Sequence, residues 1–253
     1  MKHLLKGNRL VFVPTMDFMT TRRWPGFSLL CVAVLLSLGN GAFGNIDLNN
    51  LKTIIDYITE YGIDAKYEYA VAVRLDKPYC INPTPENLET ALPMREMRRM
   101  HNAIRQRNGL YVPDEISNIV AARPETNTQK HAEWRLLSGG QNSPVDRMLA
   151  GKDRQNSCLI FFTHFSPCID RCLNPNDKGS IVDMVNFLFN TFERDLRAFV
   201  FETIYPDDAM KIEKVDEAWG RIKDAPLFRC DINSCILCFN NSPPGTLTPC
   251  YYF

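Results

Sequence analysis

Residues 158–172 read CLIFFTHFSPCIDRC. Cys158 to Phe165 is an apolar run of strand length, as expected of a strand buried on both faces. Such strands belong to sheets covered by helices on each side. Ser166-Pro167 ends the run, and Cys168 and Cys172 follow at the strand's C-terminal end. Pro167 can open a helix, where its missing N–H is no loss. Cys168 and Cys172 would then stand i and i+4 on one face, about 5–6 Å apart between β-carbons.

Upstream of this stretch, Leu48, Leu51, Ile54, Ile55 and Ile58 recur at helical spacing until Gly62. Tyr67 to Leu75 alternates as a strand, Ile116 to Ala122 offers a second, and Pro78, Pro83 and Pro85 interrupt regularity between them. Residues 94–107 form a basic helical stretch, with Met94, Met97, Met100 and Ile104 expected inward. Its arginines either make a solvated face or contact phosphate. Lys130 to Leu137 reads as a helix and 138–156 as a loop. Downstream, Ile181 to Phe192 is a helix, Leu196 to Tyr205 a strand, Asp207 to Lys223 a helix and Leu227 to Ile232 a weaker strand. The tail from Asn233 has no clear regular pattern. Alternating helices and strands imply a three-layer α/β/α sandwich around a five-stranded mixed sheet. The aromatic residues Phe187, Phe189, Phe192, Phe199 and Phe201 are expected in its core.

The N-terminal stretch reads differently. Arg22 and Arg23 precede an apolar segment, Phe27 to Leu38, and Ala42-Phe43-Gly44 supplies small residues at a signal-peptidase site. Residues 1–44 therefore read as a signal peptide with an upstream extension, cleaved near Gly44. An uncut anchor is the alternative, although the run is shorter than the roughly 20 residues a span needs. Residues 45–232 form the main domain and 233–253 a Cys/Pro-rich tail. A secreted chain without stable membrane association is expected, and its oligomeric state stays open. The leader carries five basic residues and one acidic, so 24 basic and 28 acidic residues remain. Bulk charge then does not draw the chain to nucleic acid.

Cys31 departs with the leader, leaving eight cysteines. If Cys168 and Cys172 bind metal, Cys80, Cys158, Cys230, Cys235, Cys238 and Cys250 remain. That is an even set for an oxidising compartment, with 15 possible pairings. A second metal site at Cys230, Cys235, Cys238 and Cys250 is the alternative. Asn240-Asn241-Ser242 is a glycosylation signal.

The chemistry lies in two pieces, His131-Ala132-Glu133 and Pro167-Cys168-Ile169-Asp170-Arg171-Cys172. Residues two apart on a helix point roughly 200° apart, so His131 and Glu133 share a site only if it faces the helix end. One imidazole and two thiolates leave a fourth position open on a zinc ion, which marks a catalytic rather than a structural site. Such an ion lowers the pKa of water toward about 7, and Glu133 is then the proton shuttle.

The H-x-E and P-C motifs match the zinc deaminase signature. With Thr163-His164-Phe165-Ser166-Pro167-Cys168 and the HAEWRLL string, the chain resembles the secreted AID/APOBEC-like deaminases of vertebrates over residues 48–232. The resemblance implies a cytidine-deaminase-like fold, Zn2+ on His131, Cys168 and Cys172, and Glu133 as catalytic acid and base. It implies conversion of cytosine to uracil on single-stranded nucleic acid or a small nucleoside. Asn127, Ala132, His164, Phe165 and Ser166 are its implied substrate-binding residues. Phe165 replaces the Trp that family usually carries, and three residues rather than two separate the cysteines. The alternatives are a catalytically silent, zinc-containing binding protein of extracellular immunity and a metal-free, disulfide-rich ligand.

Overall fold

The computed structural model describes residues 46–64, 66–113, 117–128, 130–239 and 248–252. The leader and the glycosylation signal lie outside the described residues.

The sheet grows outward from the apolar run. That run forms β4, Ser157–Phe165, which pairs antiparallel with β1, Ala70–Asp76, and parallel with β5, Arg197–Thr203. β1 continues antiparallel to β3, Ile119–Ala122, which pairs with the short β2, Leu110–Tyr111. β5 continues parallel to β6, Leu227–Cys230, and β6 pairs antiparallel with β7, Cys235–Leu237. Among the described residues the order is β2-β3-β1-β4-β5-β6-β7, a seven-stranded mixed sheet rather than the expected five. The two additions are edge strands of two and three residues, too short to show alternation. β7 lies in the tail that carried no clear pattern; pairing with β6 orders it.

Alternation along the strands divides the apolar residues between two cores. Ala70, Ala72, Phe161, Phe199, Phe201 and Leu227 face the first. Val71, Val73, Ile160, Phe162, Ala198, Val200 and Phe228 face the second. Four helices cover the first face: α5 (Ala132–Leu137), α6 (Pro144–Leu149), α7 (Val182–Phe189) and α8 (Ile212–Trp219). Four cover the second: α1 (Leu48–Glu60), α2 (Lys77–Ile81), α3 (Pro85–Ala91) and α4 (Met94–Ile104). The result is the α/β/α layering read from the element order.

Several local expectations change. The prolines at 78 and 85 start helices rather than break regularity, because each occupies a first-turn position where no N–H is required. Ser143 accepts the Asp146 N–H at 3.0 Å and caps α6 inside the segment read as a loop. The helix expected over 207–223 shortens to α8, preceded by a single 3-10 turn at Pro206–Asp208. Met94 and Phe187, expected inward, are exposed, because each helix turns its other apolar residues to the sheet.

Among the described residues three disulfides form, Cys80–Cys158, Cys230–Cys235 and Cys238–Cys250, and Cys168 and Cys172 stay free. The tail cysteines thus make two bridges and no second metal site. No helix among the described residues is long and apolar enough to cross a membrane.

Candidate metal and catalytic site

The site lies on the first face of the sheet, where α5 begins beside the end of β4. His131 is the N-cap residue of α5, with extended backbone, so its ring projects from the helix end while Glu133 stands in the first turn. This is the arrangement that lets residues two apart meet. Arg135, one turn on, fixes the helix by donating to the carbonyls of Asn108 and Gly109 at 3.0 Å each and to that of Arg123.

The two cysteines come from a turn, not the helix expected after Pro167. Leu173 N–H donates to the Cys168 carbonyl at 3.0 Å, closing a loop one residue wider than an α-helical turn, and α7 begins only at Val182. The third residue between the cysteines is accommodated here, because the wider turn still returns both sulfurs to one side. Cys172 N–H donates to Cys168 Sγ at 3.4 Å. Asp208, buried on the loop after β5, accepts the Ile169 N–H at 2.9 Å and Lys211 Nζ at 3.1 Å. Lys211 Nζ also reaches Asp170 at 3.0 Å.

The ligand atoms of His131, Cys168 and Cys172 all lie within 4.8 Å of one another. His131 Nδ1 is 3.7 Å from Cys168 Sγ and 3.3 Å from Cys172 Sγ. A tetrahedral ion with Zn–S near 2.3 Å and Zn–N near 2.0–2.1 Å separates N from S by about 3.5 Å. The donor set and its spacing therefore fit a tetrahedral divalent cation.

In the metal-free site only Cys168 is held in its metal-binding form, and an ion would displace protons from His131 and Cys172. The Cys172 S–H beside it holds the Cys168 thiol down, to about 4, against burial and with help from His131. Cys172 itself is held above the usual thiol range by Cys168 and burial. Burial opposes charge on His131, but Cys168, Glu133 and Glu68 outweigh it and raise the imidazole to about 9. A low-pKa thiolate is the form that ligates metal.

Glu133 is buried. Thr163 Oγ1 donates to its Oε1 at 3.4 Å, and its Oε2 has no partner among the described residues. An unpaired, buried carboxylate oxygen is costly, and the Glu133 carboxylate lies within 4.8 Å of the His131 ligand nitrogen. Burial, and then the Glu68 carboxylate, push the Glu133 carboxyl up to about 8.

Sequence reasoning missed Glu68 and Tyr205. Glu68 accepts the Ala132 N–H at 3.2 Å and lies 3.8 Å from His131 Nδ1, forming a second cluster with His131 and Glu133. Its signal was present in period two: 68 shares parity with Ala70, which faces the first core. Tyr205 has no such signal, because it leaves β5 in a loop. Its ring is 6.4 Å from His131 and edge-on to Phe165 at 6.2 Å.

The five expected substrate-binding residues divide. Phe165 is half-buried at the site beside Tyr205. Ser166 is buried, and its hydroxyl accepts the Tyr205 N–H at 3.0 Å, so it positions that ring. The Ala132 N–H is held by Glu68. Asn127 is exposed on the turn closed by the Glu125–Lys130 bridge. His164 faces the other side of the sheet, since Thr163 takes the site side. Its ring stacks on Tyr69 at 5.9 Å and its Nδ1 meets Glu202 at 3.0 Å.

Removing Asp208 tests how the turn is held. Asp208→Ala leaves the Ile169 N–H without its acceptor and removes one of the two carboxylates that hold Lys211. Loss of an outer partner of this kind weakens metal affinity about 10–100-fold. Titration against a chelator of known affinity measures this, and an unchanged affinity refutes the role.

No curated protein and no solved structure matches the chain. A family model described as Secreted Novel AID/APOBEC-like Deaminase 1 matches residues 48–252. The match runs from α1 past β7 and includes both halves of the site, so the chain belongs to the Secreted Novel AID/APOBEC-like Deaminase 1 family.

Proposed function

We propose that this protein is a secreted, zinc-dependent deaminase that hydrolyses cytosine to uracil on single-stranded nucleic acid or a nucleoside. The observation that carries the reading is the trio of His131, Cys168 and Cys172 with the carboxylate of buried Glu133 within 4.8 Å of its His131 nitrogen. Zinc bound by the trio supplies Lewis acidity to the reaction.

The chain's own residues supply the proton movements and the walls. In the overall change water's oxygen bonds to C4 of the base, the C4–N bond breaks and ammonia leaves. The Glu133 carboxylate accepts a proton from the attacking water and passes it to N3 of the base, then carries the second water proton to the departing amine, so the carboxylate is regenerated. A shuttle works best with a pKa near the working pH; in the metal-free chain burial and Glu68 raise the Glu133 carboxyl, and a bound divalent ion would draw it back down. Phe165 and Tyr205 offer aromatic surface for a base lifted out of a stack. The Glu68 carboxylate repels phosphate, so a phosphodiester or nucleotide phosphate lies away from it. Three disulfides support an oxidising, extracellular compartment.

The test couples metal analysis to a substrate panel of cytidine, deoxycytidine, single-stranded DNA and single-stranded RNA. The expected result is about one zinc per chain and release of uracil-containing product with ammonia from at least one substrate. A zinc-loaded preparation that deaminates none of them overturns the reading.

A further inference from the structure

The arginines of α4 lie away from the site just described. Arg95, Arg98, Arg99 and Arg105, the last capping the helix end, are all exposed. At 100° per residue they occupy about 120° of the helix circumference and span about 15 Å along its axis. Met97, Met100 and Ile104 hold the opposite side against the second core, so the arginine face looks outward on the layer remote from His131 and Glu133.

Charge of one sign is concentrated on this face. None of the four arginines forms an ion pair among the described residues, although the chain after residue 44 carries more acidic than basic residues. Glu96, the one acid of α4, turns away to Ser117 and Tyr111. The spacing is also unfavourable to the helix itself. Arg95 stands i, i+3 to Arg98 and i, i+4 to Arg99, positions where like charges destabilise a helix. Arg95 lies in the first turn, where the macrodipole opposes a cation. A local arrangement that works against its own element points to a function elsewhere.

We propose that this face of α4 binds a linear sulfated polysaccharide. Guanidinium groups pair with sulfate oxygens through forked, charge-assisted hydrogen bonds, and clustered arginines serve heparin-like polymers. A single-stranded nucleic acid site instead combines cations with aromatic platforms for its bases, and no residue of 94–105 is aromatic apart from His101, which is turned to the carbonyls of Tyr61 and Gly62. Binding here tethers the protein to a polyanionic matrix and leaves the site on the other face of the sheet open. The inference does not depend on the deaminase reading.

The test measures retention of the purified chain on an immobilised, sulfated heparin dodecasaccharide, with single-stranded DNA of equal charge as competitor. The wild-type chain is expected to bind at physiological salt and to weaken steeply as salt rises. The quadruple variant Arg95→Gln, Arg98→Gln, Arg99→Gln, Arg105→Gln is expected to lose about 100-fold or more in affinity with no fall in Tm, since glutamine keeps helix propensity and repulsion is relieved. The control Lys178→Gln, Arg194→Gln, Lys214→Gln, Lys223→Gln removes the same charge from exposed positions elsewhere and should bind as wild type. The proposal is overturned if the wild-type chain is not retained, if both variants lose affinity equally, or if DNA displaces the dodecasaccharide at lower concentration.

Discussion

Glu133→Gln lowers kcat by about 10³-fold while zinc stays bound at the wild-type ratio. The magnitude follows from the role, since a positioned proton-transfer group contributes about 10²–10⁴-fold. Glutamine keeps the size of the side chain and the hydrogen bond to Thr163 Oγ1, and it is not one of the three residues whose atoms form the His-Cys-Cys set. What it removes is the ability of Oε2 to take up and return a proton. A substitution that costs metal would signal misfolding of the site; one that costs neither metal nor turnover refutes the shuttle.

The same variant has a stability signature in the metal-free protein. Burial first, and Glu68 second, raise the folded-state pKa of Glu133 to about 8, above the ordinary carboxylate value. Between those two values the folded chain holds a proton there that the unfolded chain has released, so the residue's contribution to stability falls as pH rises. Glutamine does not titrate. The stability of Glu133→Gln relative to wild type therefore rises between about pH 4.5 and pH 8, measured by denaturant unfolding in the presence of chelator. A flat difference across that window contradicts the assigned burial and charge pair.

Removing the Cys80–Cys158 bridge by a double alanine substitution lowers stability by about 4 kcal/mol. The bridge closes a sequence separation of 78 residues and joins α2 to the start of β4, the central strand. In the chain-entropy description the stabilisation grows with loop length. For a chain of this size the loss corresponds to a fall in Tm of about 8–16 °C. Cys230–Cys235 spans only five residues, so the same account assigns its removal about half that effect. Thermal unfolding under non-reducing conditions separates the two. A change of less than about 1 kcal/mol for the Cys80–Cys158 variant disproves the bridge's role, and a thiol count above two in the metal-free chain of residues 45–253, which lacks Cys31, disproves the pairing.

How far the sequence reaches shows in individual residues. The repeat of Leu51, Ile54, Ile55 and Ile58 made α1 legible, because a helix face depends on neighbours three and four positions away. The unbroken apolar run at 158–165 marked β4 as a strand covered on both sides. The donor types in H-x-E and C-x3-C pointed, without any coordinates, to the cluster of His131, Cys168 and Cys172 that could hold a metal ion, since ligand chemistry belongs to the residue type. Tertiary structure decided the rest. Antiparallel pairing of β1 with β4 sets Glu68 in the site and His164 on the other face, although His164 lies four residues from Cys168 and Glu68 lies 63 residues from His131. The wider turn at Cys168, the docking of Asp208 and Tyr205 against it, and the choice among 15 cysteine pairings each depend on segments tens of residues apart. Local spacing carries information about local conformation; which distant groups meet is set by strand register and by how the helices cover the sheet.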